Sequence, residues 1–113
     1  MENCVFCKIR DKEVPADILF QDEDVMVFRD VSPQAPFHVL IVPKKHIARL
    51  TDPAAIDGGL LVAVFAAMQK LVIEHGLEKG FRVVGNCGDE GGQSVDHIHF
   101  HLLGKRRLSW PPG

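Results

Sequence analysis

The chain has no excess of positive charge: 13 Lys and Arg residues stand against 15 Asp and Glu, a formal net charge of −2. A protein that tracks nucleic-acid phosphates needs a basic face, so nucleic acid is not an expected partner. The one basic cluster, Lys105-Arg106-Arg107, reads as a solvated turn after the last strand. No apolar run approaches the roughly 20 residues of a membrane span, and Met1-Glu2-Asn3-Cys4 lacks the basic-then-apolar layout of a secretory leader. The expectation is a cytoplasmic protein with no membrane partner. Cysteines are few and odd in number, three in 113 residues, which argues against a disulfide framework. Repeats, linkers and low-complexity stretches are absent, and 113 residues at 46% apolar suit one domain, residues 1–113, around one core.

Chemistry concentrates near the C-terminus, in His97-Ile98-His99-Phe100-His101. Side chains alternate along a β-strand, so the spacing predicts three imidazoles on one face and Ile98, Phe100 and Leu102 on the other. Positions two apart are separated by roughly 6.8 Å, which puts His97 and His101 about 13 Å apart, too far for all three to share one metal. A row of imidazoles suits a handled substrate. The segment before it, Asn86-Cys87-Gly88-Asp89-Glu90-Gly91-Gly92-Gln93-Ser94-Val95, reads as a loop. Its glycines allow close backbone approach, and consecutive N–H groups with the Ser94 hydroxyl would form a donor cradle for phosphate. Phosphoryl chemistry is the natural inference.

These residues resemble the signature of the histidine triad family, His-x-His-x-His followed by apolar residues, here completed by Leu102-Leu103. The resemblance is to the purine nucleoside phosphoramidase branch, because Ser32-Pro33-Gln34-Ala35-Pro36, Val42-Pro43-Lys44-Lys45-His46, Gly91-Gly92-Gln93-Ser94-Val95 and Trp110-Pro111-Pro112-Gly113 fall in the same order. It spans nearly the whole chain. The departures are Asp96, where an aromatic or apolar residue is common, and Lys105, where a second glycine is usual.

The element pattern agrees with an α+β fold. Val5 to Arg10 reads as a short helix or turn ended by Val14-Pro15, and Ile18-Leu19-Phe20 with Val25-Met26-Val27-Phe28 as a hairpin. His38-Val39-Leu40-Ile41-Val42 makes a third strand stopping at Pro43. Asp52-Pro53 is a cap followed by Pro at the first helical position, and Leu60, Leu61, Val64, Phe65, Met68, Leu71 and Val72 recur at helical spacing up to His75-Gly76. Gly58-Gly59 would break off a first short turn. Phe81-Arg82-Val83-Val84 and the histidine segment complete a five-stranded antiparallel sheet with one principal helix on one face.

The resemblance implies hydrolysis of purine nucleoside 5′-phosphoramidates, releasing AMP or GMP through a nucleotidyl-histidine. Neutral imidazole is a competent nucleophile near pH 7, and the family role falls on His99. Ser94 and the N–H groups of Gly92-Gln93-Ser94-Val95 would hold phosphate oxygens, His101 would donate to the phosphate, and His97 and His46 belong to the same catalytic set. Asn86 matches the loop asparagine beside the leaving group. Phe6, Ile9, Val14, Phe28 and Val31 match the apolar base slot, and Asp30 the ribose ligand; read from the residues alone, the apolar set is equally core and Asp30 a turn former. His38 and His75 lie outside the motifs and read as ordinary.

Cys4-x-x-Cys7 is a metal half-site that two imidazoles would complete as Cys₂His₂, or else two small buried side chains. The resemblance pairs the cysteines with His46 and His97 around a structural zinc, leaves His99 free, and requires no organic cofactor. A redox pair is not expected without a βαβ context, and Cys87 reads as incidental. Two other functions use the same residues: diadenosine-polyphosphate hydrolysis, against which the Trp110-Pro111-Pro112-Gly113 ending speaks, and nucleotide sensing with little catalysis, against which His99 speaks. A homodimer is expected, since an exposed sheet edge and the apolar surface of Leu60, Val64, Phe65 and Met68 invite a two-fold partner; the resemblance implies that the sheet continues across the interface and that Trp110 reaches the neighbouring site.

Overall fold

The computed structural model describes residues 3–113. Its elements are α1 (Val5–Arg10), β1 (Ile18–Gln21), β2 (Val25–Arg29), β3 (Phe37–Pro43), a 3₁₀ turn (Pro53–Ile56), α2 (Gly58–Glu74), β4 (Phe81–Gly85) and β5 (Phe100–Gly104). The strands form one antiparallel sheet in the order β1-β2-β3-β5-β4.

Two layers cover the central strands, which explains why β2 and β3 are apolar at nearly every position rather than at alternate ones. Val25, Val27, Val39, Ile41 and Leu102 face α2, where Val64, Met68 and Leu71 meet them. Met26, Phe28, Leu40 and Val42 point the other way and pack under α1 against Phe6, Cys7 and Ile9. Burying each such Val, Leu, Ile, Phe or Met side chain contributes roughly 1.5–3 kcal/mol, so these two strands are the mechanical centre of the fold.

The principal helix starts later than Pro53. Asp52 caps only the 3₁₀ turn, accepting from the Ala54 N–H, and Asp57 then takes an extended conformation and caps α2 by accepting from the Leu60 N–H. Two separate caps make two separate helices. The far end falls where expected, with His75 as C-cap and Gly76 left-handed at φ 68°.

The histidine strand is also shorter than the alternation suggests: the ladder begins at Phe100, and residues 95–97 bend. The His97 ring bonds to the Pro43 carbonyl, the Ile98 N–H bonds to the Ile47 carbonyl, and the His97 N–H turns back to Val95, so this stretch is anchored to the end of β3 and to the chain just after it. The alternation of faces persists regardless. Ile98, Phe100 and Leu102 join the helix-side clusters, and His97, His99 and His101 face the α1 side.

Lys105 occupies the left-handed region at φ 67°. A side chain there costs about 1–2 kcal/mol relative to ordinary backbone, which accounts for glycine at this position in the resembled pattern. Lys105→Gly is expected to stabilise the protein by about 0.5–1 kcal/mol after the added freedom of the unfolded chain is counted, read as a raised urea midpoint with unchanged m-value.

Candidate active site

The α1 side of the sheet carries a continuous band of imidazoles. His46 and His97 have ring centroids 4.9 Å apart, His99 and His101 5.3 Å, and His101 and His38 5.1 Å. The Phe6 ring stands edge-on between His97 and His99, at 5.8 and 5.1 Å.

Hydrogen bonds assign the proton positions of the neutral rings. Nδ1 of His99 lies 2.8 Å from the His97 carbonyl oxygen. A carbonyl only accepts, so Nδ1 carries the proton and Nε2 is the free base of the ring. His38 receives the Gln34 N–H at Nδ1, 3.0 Å, so its proton sits on Nε2 and is donated to Nδ1 of His101 at 2.9 Å. His101 consequently holds its own proton on Nε2. Burial lowers the pKa of His38 against the pull of Asp30, and burial followed by His99 and His38 lowers that of His101, so the pair stays neutral as this relay requires.

His38 is therefore part of the site, not an ordinary strand residue. Its position carried a signal: it shares a β3 face with Leu40 and Val42, the face of the imidazole band, and sits diagonally from His101 in the β3–β5 register. His75 is remote, capping α2 and packing on Phe37 with ring centroids 4.7 Å apart.

A cavity of about 500 Å³ opens beside His99 and His101. Phe6, Ile9, Val14, Phe28 and Val31 wall it, and Asp30, Ser94 and Val95 complete the rim. Its size and mixture of apolar wall with few polar groups are those of a small-ligand site. Phe6, Ile9 and Phe28 are buried, whereas Val31 is 99% exposed and forms only an outer lip. Asp30 is a turn former, its Oδ1 accepting the Ser32 N–H, and it also lines the cavity, with Oδ2 3.4 Å from Nε2 of His38.

The loop departs from the expected cradle. The Gly92 N–H bonds to Asp89 and the Gln93 N–H to Gly88, so neither is offered to a ligand. The Gln93 side chain accepts from the Gly88 N–H and donates to the Ala48 and Val95 carbonyls, which makes it a brace for the loop. Glycine at 91 is required because a Cβ there would lie 2.4 Å from the Cys87 oxygen. Ser94 and Val95 line the cavity, and among the described residues the Ser94 hydroxyl and the Ser94 and Val95 N–H groups make no hydrogen bond. Asn86 is half-buried just after β4 and outside the cavity wall, and Trp110 is 83% exposed, away from its own chain's site.

Among the described residues, two clusters bring metal-ligand atoms within 4.8 Å of one another: Cys4, Cys7, His46 and His97, and Asp30, His38 and His101. Proton placement separates them. His97 donates Nε2–H to the Pro43 carbonyl at 2.7 Å, which leaves the Nδ1 lone pair facing Cys4 Sγ at 3.3 Å, Cys7 Sγ at 3.6 Å and His46 Nδ1 at 3.1 Å. Cys7 Sγ is 3.3 Å from His46 Nδ1. Around a tetrahedral zinc, ligand atoms stand roughly 3.3–3.8 Å apart, and a ligand histidine commonly donates its other N–H to a carbonyl, so this donor set fits a metal. Burial pushes His97 down to about 4, keeping it neutral, as ligation demands. In the second cluster the Gln34 N–H occupies Nδ1 of His38, so Nε2 keeps its proton and cannot ligate; it is a hydrogen-bonded relay.

An open antiparallel sheet that presents imidazoles of fixed tautomer to a chamber roofed by a short helix defines a small α+β protein with a histidine-based site. The HIT domain model matches residues 11–108, and the chain belongs to that family. An uncharacterised HIT-like protein of Synechococcus elongatus is 46% identical over 112 residues, covering 99% of this chain and 98% of that protein. A HIT family hydrolase from Legionella pneumophila superposes with a TM-score of 0.94 at 50% identity, over 98% of this chain and 100% of the other. A HIT family hydrolase from Clostridium thermocellum gives 0.91 at 43% identity, over 96% of each. A histidine triad nucleotide-binding protein from Candida albicans gives 0.85 at 34% identity, covering 96% of this chain and 83% of that one.

Proposed function

We propose that the protein hydrolyses purine nucleoside 5′-phosphoramidates to an amine and AMP or GMP through a nucleotidyl-His99 intermediate. The observation that carries this reading is the bond from His99 Nδ1–H to the His97 carbonyl, which leaves Nε2 as a lone pair on the wall of a nucleoside-sized chamber. His99 Nε2 attacks the α-phosphorus, the P–N bond breaks, and the amine leaves with a proton delivered through Ser94. Water then attacks phosphorus, the N–P bond breaks, His99 is restored and the water's proton replaces the one lost. His101, its proton held on Nε2 by His38, donates to the phosphate oxygens. Release of AMP and amine from adenosine 5′-phosphoramidate, with slow or no cleavage of diadenosine polyphosphates, is the test; the reverse preference would reject the P–N assignment.

His38 acts through His101. His38→Gln is expected to lower kcat about tenfold to a hundredfold with KM nearly unchanged, because the nucleoside wall is intact while the tautomer of His101 is released. An unchanged kcat would remove His38 from the relay.

Zinc is the metal that two thiolates and two imidazoles favour. Cys4, Cys7, His46 and His97 would hold it as a closed structural ion tying the N-terminal segment to the sheet. His46 and His97 then serve the reaction by holding structure.

The reading includes a homodimer. Val64 and Met68 prove to be committed to their own sheet and Leu60 is half-buried, but Val62, Phe65 and Ile73 lie 70%, 52% and 69% exposed along one stripe of α2, and Phe81 is 44% exposed on the edge strand β4. A second copy would cover both. Light scattering is expected to give twice the chain mass at micromolar concentration, and deletion of residues 110–113 to change amine preference more than AMP affinity; a monomer mass would refute the pairing.

A further inference from the structure

Helix α1 serves two sites at once. Its N-cap Cys4 and its Cys7 supply both sulfurs of the Cys₂His₂ cluster, while Phe6 and Ile9, from the same six residues, wall the 500 Å³ chamber. Phe6 joins the two directly, its ring packing edge-on to His97 of the cluster, to His99 and, at 5.5 Å, to Phe28 beside it in the chamber wall. A six-residue helix lies far below the roughly 12–15 residues at which a helix persists by itself in water, so α1 depends on what holds it to the sheet. Apart from the cluster, those attachments among the described residues include the packing of Phe6 and Ile9 and a hydrogen bond from Arg10 Nη1 to the Lys44 carbonyl at 2.8 Å.

We propose that the metal cluster and the nucleotide chamber are coupled through α1, so that a zinc ion on Cys4, Cys7, His46 and His97 tightens binding of a nucleoside monophosphate, and the nucleotide tightens zinc by the same factor. The inference rests on the zinc and nucleotide readings above and adds a linkage that neither contains. Either ligand must find α1 ordered on the sheet. The one that binds first meets the ordering cost and the second does not, which is positive cooperativity with reciprocity imposed by thermodynamics. The chamber is then a metal-dependent site although no ligand of the metal touches the base slot, and nucleotide loading protects the metal from competing chelators.

The test measures the linkage in both directions on the full chain. AMP affinity by calorimetry is expected to be about tenfold or more weaker in protein stripped with a chelator than in protein reloaded with zinc. In the reverse direction, saturating AMP should raise zinc retention against a chromophoric chelator by that same factor, a measurement that begins from the folded, loaded protein and holds even if the stripped chain unfolds. Amide exchange across Val5–Arg10 should slow with either ligand. Ile9→Ala, which trims the chamber wall and removes no metal ligand, should weaken AMP binding and move the AMP-dependent rise in zinc retention to higher AMP concentration. Equal AMP affinity with and without zinc, or zinc retention indifferent to AMP, overturns the coupling while leaving both sites standing. Zinc uptake without AMP binding overturns the nucleotide reading, AMP binding without zinc uptake overturns the metal reading, and either takes the coupling with it.

Discussion

Replacing His99 with alanine or glycine is expected to reduce phosphoramidate turnover by at least about a thousandfold while AMP affinity stays within about threefold of the parent. The two quantities separate because His99, which precedes β5, is one edge of a wall built mainly by Phe6, Ile9 and Phe28 from α1 and β2. Removal of the imidazole also opens space beside Phe6 and takes the Nδ1–H donor from the His97 carbonyl, an acceptor that water entering from the adjoining chamber would then satisfy. Steady-state amine release and calorimetry with AMP together decide it. Turnover near that of the parent would remove His99 from the nucleophile's role, and loss of AMP binding would show that the ring is a wall rather than a reactant.

The second large effect concerns the cluster. Cys4→Ser is expected to lower zinc content well below one per chain and to destabilise the fold by on the order of 3 kcal/mol, seen as a fall in melting temperature of roughly 10 °C or more. The substitution removes a ligand and weakens the cap of α1, because Cys4 Sγ also receives the Cys7 N–H at 3.3 Å. Cys87→Ser, which touches neither cluster, should leave both quantities unchanged. Metal content that survives Cys4→Ser, or protein that stays empty after refolding with zinc, would reject the assignment.

Much of this architecture is readable from residue patterns because the forces behind it are local or periodic. Alternation along β2 and β3 separates an α2 face from an α1 face, the turn at Gln21-Asp22-Glu23-Asp24 joins the hairpin, and the helical spacing of Val64, Met68 and Leu71 identifies the face that packs. What stayed hidden depends on partners distant in sequence. The role of His38 comes from Gln34 on one side of its ring and His101, 63 residues away, on the other. Gln93 looks like a ligand in a glycine-rich loop, yet Ala48 and Gly88 claim its amide. The helix start moved because Asp52 and Asp57 both cap, and a cap's reach is decided by the backbone angles at the second aspartate. Val31 belongs to the apolar slot by position, but the chain turns there and leaves its side chain in solvent.

The central claim is that His99 becomes covalently nucleotidylated. Protein mixed with adenosine 5′-phosphoramidate, quenched within milliseconds and digested, should yield by mass spectrometry a peptide containing His97, His99 and His101 that is heavier by one adenylyl group, with fragmentation placing the group on His99 and its decay matching the rate of AMP release. Rapid AMP formation with no adduct at any quench time, or an adduct borne by His97 or His101, would contradict the account.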